Sequence, residues 1–453
     1  MLLNPQLFQG RVRNNADRFL LKSQSQLDGL LRVDLSALSL PAAGSGADSD
    51  LPKGANRAEA GLAALNFLLN TIQNRCLIRI VENQVDKETG TVDLDLTAFR
   101  DERGQACFNS QTLGLVGIAD DKSRCNNGVT RINELIVSMM QPDAYNAAQG
   151  LTGMNRSQVA GAFGVSEDKL DTFGNKLLVG TKPDSGEKES GVVGGTQRII
   201  ERQLSSILPG RMCYRSLDFS DAHEGGSGAT SRSVEEGGIF FTHEAEEWLC
   251  IGKNGFLVTF LFDQKGNLLK EAPGSIASSR RLLKPSVRNV ASCLDCHAKG
   301  FLAGTSDYSE QKDKIKLANE PTRVLGPNGQ PLTHGDFFTT NAQYDAVAKQ
   351  DSNLFVAAQK AAGAFLPRDN GDPVPLIPAA MDAHADKVTA SVVARELKIS
   401  ESAAKEVLGS RSSISRTEFE NNFCELKDRT LGLAQTPAKS SSFRKDEKGH
   451  NSK

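Results

Sequence analysis

Residues 292–300 read S-C-L-D-C-H-A-K-G, which places Cys293, Cys296 and His297 in the spacing C-x-x-C-H. This is the attachment signature of c-type haem. The chemistry accounts for the spacing. Each cysteine sulfur adds to one porphyrin vinyl group, so two thioethers hold the ring. On a helical turn, positions i, i+3 and i+4 share a face. Cys293 and Cys296 therefore grip the ring edge, while His297 presents its imidazole to the iron as the proximal ligand. The chain has eight cysteines and six histidines in 453 residues, so chance supplies about 0.002 such pentapeptides.

Two other readings compete. A zinc site needs a second ligand pair at close spacing, and the sequence holds no second C-x-x-C and no H-x₃₋₅-H. A thioredoxin-like C-x-x-C follows a strand in a βαβ unit, a context the flanking sequence does not supply. The expectation is one covalent haem c, bound by Cys293, Cys296 and His297, with His297 as iron ligand.

Composition sets the frame. Charged residues make up 24% and hydrophobic residues 39%, as in globular proteins. The formal net charge of −2 gives no global electrostatic case for nucleic acid or an anionic membrane. The remaining cysteines are Cys76, Cys107, Cys125, Cys213, Cys250 and Cys424. They allow up to three disulfides or six buried thiols, and Cys107 with Cys125 would staple a polar loop. Haem attachment belongs on the oxidising side of a bacterial membrane. Residues 1–10 carry no apolar core or cleavage site of a signal peptide. The expected location is nonetheless periplasmic or exported, with an N-terminal signal missing from the given start.

Upstream of the motif the pattern is β. Strands are expected at 214–219, 239–241, 247–251 and 256–262, with Asn254-Gly255 as a two-residue hairpin and a second turn at 263–267. This is a small antiparallel meander beside the haem segment. Trp248, Phe256, Phe260 and Phe262 would wall the porphyrin or fill an ordinary core. Further upstream, 58–73 has helical spacing of Leu62, Leu65, Leu68, Leu69 and Ile72. A short strand is expected at 77–81 and an alternating strand at 91–96, whose Asp93 and Asp95 form a solvated face rather than a calcium site. Residues 107–128 read as loop, and 131–140 and 157–163 as helices, the latter closed by Gly164 and followed by a helix capped by Ser166. The G-V-V-G-G at 191–195 lacks the G-K-[ST] of a phosphate loop and is expected to lead into a helix over 196–208.

Beyond Asp307 the chain is expected to be helical, at 342–365, 381–397 and 402–408. A capping box at 415–418 opens a last helix carrying Phe419 and Phe423. The expected fold is α+β, mainly α-helical, with the small meander next to the c-type haem site. The expected organisation is a poorly ordered segment 1–57, an α+β domain 58–210, the meander and haem segment 211–330, a helical domain 331–435 and a disordered basic tail 436–453. Residues 392–411 look like a helix-turn-helix, but the second helix carries only Lys405, offset by Glu406, where DNA contact needs a cluster of cations.

Short motifs along the chain resemble a family of large bacterial c-type cytochrome-domain proteins from planctomycetes and from predatory or myxobacterial lineages. They are A-L-N-F-L-L-N-T-I at 64–72, D-L-D-L at 93–96, S-G-V-V-G-G-T-Q-R-I-I-E-R at 190–202 and R-S-L-D-F at 215–219. E-W-L-C-I-G-K-N-G-F at 247–256, D-Q-K-G-N at 263–267, the haem motif with Gly300, A-R-E-L at 394–397 and R-T-E-F-E at 416–420 complete the pattern. The resemblance implies one haem c at Cys293, Cys296 and His297 in an exported or lipid-anchored protein, and implies no particular reaction. The chain departs from the pattern in lacking an export signal or lipobox, which leaves membrane anchoring open.

Function turns on the iron face opposite His297. A sixth protein ligand favours electron transfer, and an open face admits small ligands. The candidates are His223, His243, His334, His384 and His450, with Met139, Met140, Met154, Met212 and Met381. His243, just before the strand at 247–251, is the first choice. Met381 and His384 are the alternatives. Arg280, Arg281 and Lys284 would pair with haem propionates or form a solvated basic turn. The leading expectation is a periplasmic mono-haem electron carrier that serves a redox partner protein and no nucleic acid. The competing one is a five-coordinate haem sensor or peroxidase-like enzyme, for which His243 would be a distal base.

Overall fold

The computed structural model describes residues 8–9, 30–40, 56–121, 129–166, 177–181, 197–219, 245–273, 287–302, 321–325, 329–333, 341–385 and 387–435. The fold is mixed α and β, with twelve α-helices among the described residues and antiparallel pairing dominant in its sheets. Met1–Ala385 and Asp386–Lys453 form two compact units.

The first unit runs β1 (Phe8–Gln9), β2 (Leu30–Asp34), α1 (Arg57–Thr71), β3 (Ile78–Arg79), β4 (Val85–Asp86), β5 (Thr91–Asp95), α2 (Ser110–Asp121), β6 (Thr130–Arg131), α3 (Ile132–Met139), α4 (Pro142–Ala148) and α5 (Arg156–Phe163). It continues with β7 (Leu177–Thr181), β8 (Gln197–Leu204), β9 (Met212–Phe219), β10 (Ala245–Ile251), β11 (Leu257–Asp263), α6 (Ala291–Cys296), β12 (Pro321–Leu325), β13 (Pro331–Thr333), α7 (Asn341–Ala362) and α8 (Leu376–Ala385). A single buried apolar cluster extends from Leu31 to Ala380, so the expected segments 58–210 and 211–330 share one core.

Helix α1 forms where its spacing predicts. Asn56 caps it in a reciprocal box with Glu59, which satisfies donors the first turn leaves open. It is buried nearly all round. Its two inward asparagines, Asn66 and Asn70, serve as a surrogate strand for the chain beside them. Asn70 Oδ1 accepts Ile78 N–H at 2.8 Å and its Nδ2 donates to Ile78 O at 2.8 Å. Asn66 does the same for Ile80, at 2.7 and 3.0 Å. Backbone groups of this stretch that face the helix rather than β1, the strand partner of β3, are thereby satisfied. Only β3, two residues long, forms within the strand expected at 77–81.

Strand β5 alternates as expected, with Val92 and Leu94 buried, and its outer Asp93 is paired with Arg32 at 2.5 Å. The partner strand corrects the reading of residues 1–57. β2 lies inside the sheet ordered β4-β5-β2-β6, with Leu31, Val33, Leu35, Ala37, Leu38 and Leu40 buried. A weak local pattern is rescued by neighbours on both sides. The stretch expected as loop from residue 107 contains α2, and Cys107 is bonded to Cys76 rather than to Cys125. The helix over 157–163 is present, closed by Gly164 at φ 65°. Residues 167–172, the body of the helix expected after Ser166, lie outside the described residues.

A second correction concerns 196–208. The stretch forms β8, paired with β7 and β9 in the antiparallel sheet β11-β10-β9-β8-β7. The sequence Q-R-I-I-E-R-Q-L satisfies a helical spacing of apolar residues, but Ile199 and Ile200 are β-branched, and each face of the strand finds a counter-ion far away in sequence. Glu201 pairs with Arg215 at 2.6 Å, and Arg202 with Asp351 at 2.7 Å. Tertiary pairing overrides local propensity here.

Residues directly opposite in a sheet share a face. Thr259, Leu249, Tyr214 and Arg202 therefore form one row across β11, β10, β9 and β8. Leu261, Glu247, Ser216 and Ile200 form the adjacent row. The other face carries Phe260 and Phe262, Trp248, Arg215 and Glu201. There Phe163 of α5 meets Phe260, Arg156 pairs with Glu246, and opposed Cys213 and Cys250 are disulfide-bonded. The hairpin turns through three residues, Lys253, Asn254 and Gly255, between the paired Gly252 and Phe256. Only Gly255 of the three has a positive φ, 85°, and the turn replaces the expected two-residue Asn254-Gly255 turn. The strand expected at 239–241 lies outside the described residues.

Beyond Asp307 the chain first makes the hairpin β12-β13 before α7. The single helix expected at 381–397 is broken. It ends as α8 in the first unit and resumes in the second as α9 (Ala390–Leu397), after β14 (Val388–Thr389) has paired with β15 (Ser413–Ile414). α10 (Glu401–Leu408) is capped by Ser400, and its Lys405 pairs with Glu401 at 3.1 Å. Ser415 Oγ accepts Glu418 N–H to start α11 (Arg416–Asn421), and α12 (Phe423–Gln435) follows after Asn422. Arg416 and Glu396, drawn from two separate sequence motifs, form a part-buried pair at 2.8 Å. The tail 436–453 lies outside the described residues. No helix among the described residues is long and apolar enough to cross a membrane.

Candidate functional site

Cys293, Cys296 and His297 lie on α6 and its C-cap, as the spacing requires. The helix opens from an unusual turn. Val290 has φ 71° and ψ −67°, and Ala291 N–H donates to Asn289 O at 3.0 Å. A β-branched residue in such a γ-turn is strained and persists only where the surroundings over-determine it. Asn289 provides the restraint. It is fully buried, and its Oδ1 accepts from Val290 N–H and from Thr259 Oγ, both at 2.9 Å. Asn289 Nδ2 has no hydrogen-bond partner among the described residues.

From this turn the motif lies along one face of the five-stranded sheet. Asn289 sits on Thr259 of β11, Cys293 against Glu247 of β10, and Phe301 on Tyr214 of β9. Cys293 is buried, and burial pushes its thiol pKa well up, reinforced by the Glu247 carboxylate to which the thiol donates. Cys296 is half-buried, and neither cysteine is in a disulfide.

His297 is 8% exposed. Its Nδ1 is 2.9 Å from Gly300 O. A carbonyl oxygen only accepts, so Nδ1 carries the proton. In the neutral ring the lone pair is then on Nε2, the tautomer an iron ligand requires. Gly300 reaches this position at φ 105°, and a side chain there would meet Ser352 Cβ at 2.7 Å. Glycine is thus required both by the backbone and by the helix packed above it.

Helix α7 holds the segment after the histidine. Gln359 Nε2 donates to Ala298 O at 3.0 Å, and Ser352 Oγ accepts Phe301 N–H at 2.8 Å. Asp351 accepts from Tyr214 Oη at 2.7 Å and from Arg202 Nε and Nη2 at 2.7 and 3.1 Å. Lys299, inside the motif, pairs with Asp372 at 2.5 Å on the chain leading to α8.

α8, which carries the candidate sixth ligands Met381 and His384, packs against α6. Met381 is partly buried against the core, and His384 is 8% exposed. His243, the first choice, lies outside the described residues, as do His223, His334, His450, Arg280, Arg281 and Lys284. Met139, Met140 and Met212 are ordinary core residues. Among the described residues no three His, Cys, Asp or Glu side chains converge to hold one metal ion. Cys293, Cys296 and His297 therefore do not meet as common ligands of a single ion.

Sequence reasoning did not single out Asn289, Tyr214, Asp351 or Ser352, and it assigned Glu247 only to a strand. One signal was available for Tyr214 and Glu247. Both lie in strands, where residues two apart share a face, and both fall on the face opposite the apolar Phe260 and Phe262. Asp351 and Ser352 carry no such mark, because an Ala-rich helix accommodates either residue on its surface. No protein family, curated protein or solved structure was found to match the chain.

Proposed function

We infer that the chain is a mono-haem c protein that transfers single electrons to or from a partner protein outside the cytoplasm. The observation that carries this reading is the Nδ1–H bond from His297 to Gly300 O. It selects the tautomer that leaves Nε2 for iron, on the helix whose other two marked positions are cysteines. Cys293 and Cys296 would hold the porphyrin as thioethers, and His297 would be the proximal ligand. The donor set fits the group on the histidine side. At Cys293, a porphyrin edge has to displace the Glu247 carboxylate as the sulfur's neighbour, since a thioether has no proton to donate. When bound, the haem supplies reversible one-electron chemistry.

The compartment is supported by the disulfides Cys76–Cys107 and Cys213–Cys250, which suit an oxidising milieu. His243 remains the proposed sixth ligand and Met381 its competitor. The protein's role in this reading is to exclude water from the ring, fix the imidazole and present an edge to the partner.

The test is a visible spectrum with a pyridine haemochrome, on protein expressed in a periplasm with haem-maturation machinery. A c-type spectrum with sharp low-spin reduced bands, unchanged by carbon monoxide, is expected. Substituting His243 and Met381 then identifies the sixth ligand. A high-spin spectrum that shifts with carbon monoxide would replace the carrier with a five-coordinate sensor or peroxidase-like enzyme. Absence of covalent haem would return Cys293 and Cys296 to thiol chemistry.

A further inference from the structure

The residues that follow His297 are clamped from two directions. Ser352 Oγ accepts Phe301 N–H at 2.8 Å, and its own proton is within reach of Ala348 O at 2.7 Å and Phe301 O at 3.1 Å. The Phe301 ring stacks on Tyr214 with centroids 3.9 Å apart. Tyr214 is fixed by its hydroxyl to Asp351, and Asp351 is gripped through two bonds by Arg202. Ser352 and Asp351 are neighbours on α7. One helix position thus holds the Phe301 backbone and the next holds its ring. The peptide so fixed is the one whose carbonyl belongs to Gly300, the acceptor for His297 Nδ1. Gly300 itself packs tightly on α7, since a Cβ added to it would lie 2.7 Å from Ser352 Cβ.

We propose that Ser352 and Asp351 are positioning residues for His297, holding the Gly300 carbonyl so that it orients the imidazole and increases its donor strength. The role rests on the haem c reading above. The physical basis is that an axial imidazole donating its Nδ1 proton to a well-placed acceptor becomes more basic. A more basic ligand favours the oxidised iron and lowers the reduction potential. Loosening the carbonyl reverses this. Both residues act through the peptide that carries the Gly300 carbonyl, and Arg202 and the Tyr214 hydroxyl both bond to Asp351.

The experiment compares Ser352→Ala and Tyr214→Phe with the unaltered full chain after haem maturation. Each protein is measured for haemochrome, midpoint potential and thermal unfolding. Ser352→Ala removes the acceptor of Phe301 N–H. Tyr214→Phe keeps the stacked ring and removes only its bond to Asp351. The expected result is a haem c protein in which Ser352→Ala raises the potential by up to a tenfold change in the reduction equilibrium, about 59 mV for one electron. Tyr214→Phe shifts it in the same direction by less. If both variants melt earlier but keep the unaltered potential, the two residues are packing only and the proposal falls. If Ser352→Ala does not fold, the Tyr214→Phe potential decides by the same criterion. An unaltered chain without covalent haem fails at the haemochrome, which overturns the haem reading, and the proposal with it, before any variant is compared.

Discussion

Phe301 and Tyr214 stack nearly parallel, with ring centroids 3.9 Å apart at an interplanar angle of 24°. The contact joins the chain four residues after His297 to the middle strand of the five-stranded sheet, and Tyr344 meets the same Tyr214 ring edge-on at 6.2 Å. The exit of the motif is therefore part of the core. Phe301→Ala should cost about 3–5 kcal/mol, as large-to-small core changes do, and should lower the yield of covalently loaded protein. Urea unfolding of the full chain checks the first effect and haemochrome per mole of protein the second. A cost below about 1 kcal/mol would mean that the stack contributes little beyond contact.

Gly300→Ala is expected to be among the most damaging single-methyl additions in the chain. The position has φ 105°, and the new Cβ would lie 2.7 Å from Ser352 Cβ and 2.8 Å from Ser352 Cα. Backbone strain alone costs about 1–3 kcal/mol, and the contact adds to it because a helix backbone cannot retreat as a flexible side chain can. A melting temperature equal to that of the unaltered chain would contradict the described turn. Gly104→Ala is the comparison, since φ is also positive there, at 74°, and a Cβ meets nothing within 4 Å.

The cysteines divide into two classes with different consequences. Peptide mapping without reduction should recover Cys76 linked to Cys107 and Cys213 linked to Cys250, and no Cys107–Cys125 bridge. Replacing Cys213 and Cys250 together by serine should cost about 2–4 kcal/mol, the usual value of a native bridge. Replacing Cys293 and Cys296 should leave both bridges intact and abolish covalent haem.

Several carboxyls that tie turns together are held below the usual carboxylate range. For Asp372 the first cause is the bond from Lys299. For Asp101 it is the backbone N–H of Gln105. For Asp86 it is the backbone N–H of Glu88. A depressed folded pKa contributes stability that is fully present above the unfolded value, roughly pH 4. That stability is lost as pH falls through the folded value. Stability should therefore be flat with respect to these groups near neutral pH and decline in acid. Lys299→Met should bring the Asp372 titration, followed by NMR, back towards the ordinary range without moving Asp101. An unmoved Asp372 would show that the Lys299 bond is not formed in solution.

The core helices and strands were legible wherever one period dominated. The run from Leu62 to Ile72 admits only a helix, and Val92 with Leu94 only a strand, because each pattern buries apolar side chains in one geometry and exposes them in the other. Residues 197–204 satisfy the helical spacing and still form a strand, so the reading as a helix failed there. The deciding partners, Arg215 for Glu201 and Asp351 for Arg202, are invisible to any local window. The strand Leu30–Asp34 was missed for the same reason. Its neighbours on the sheet are Thr91–Asp95 and Thr130–Arg131.

At the site itself, sequence alone determined that Cys293, Cys296 and His297 share one helical face, since a turn of 3.6 residues brings i, i+3 and i+4 together whatever surrounds them. Only the tertiary structure decided which strands that helix lies on, that Gly300 O takes the His297 Nδ1 proton, and that Ser352 and Asp351 hold the peptide carrying that carbonyl. The physical reason is range. Helical spacing is a property of neighbouring residues, whereas the tautomer of an imidazole is set by the nearest acceptor. That acceptor is held here by a helix far along the chain, at Ser352, 51 residues from Phe301.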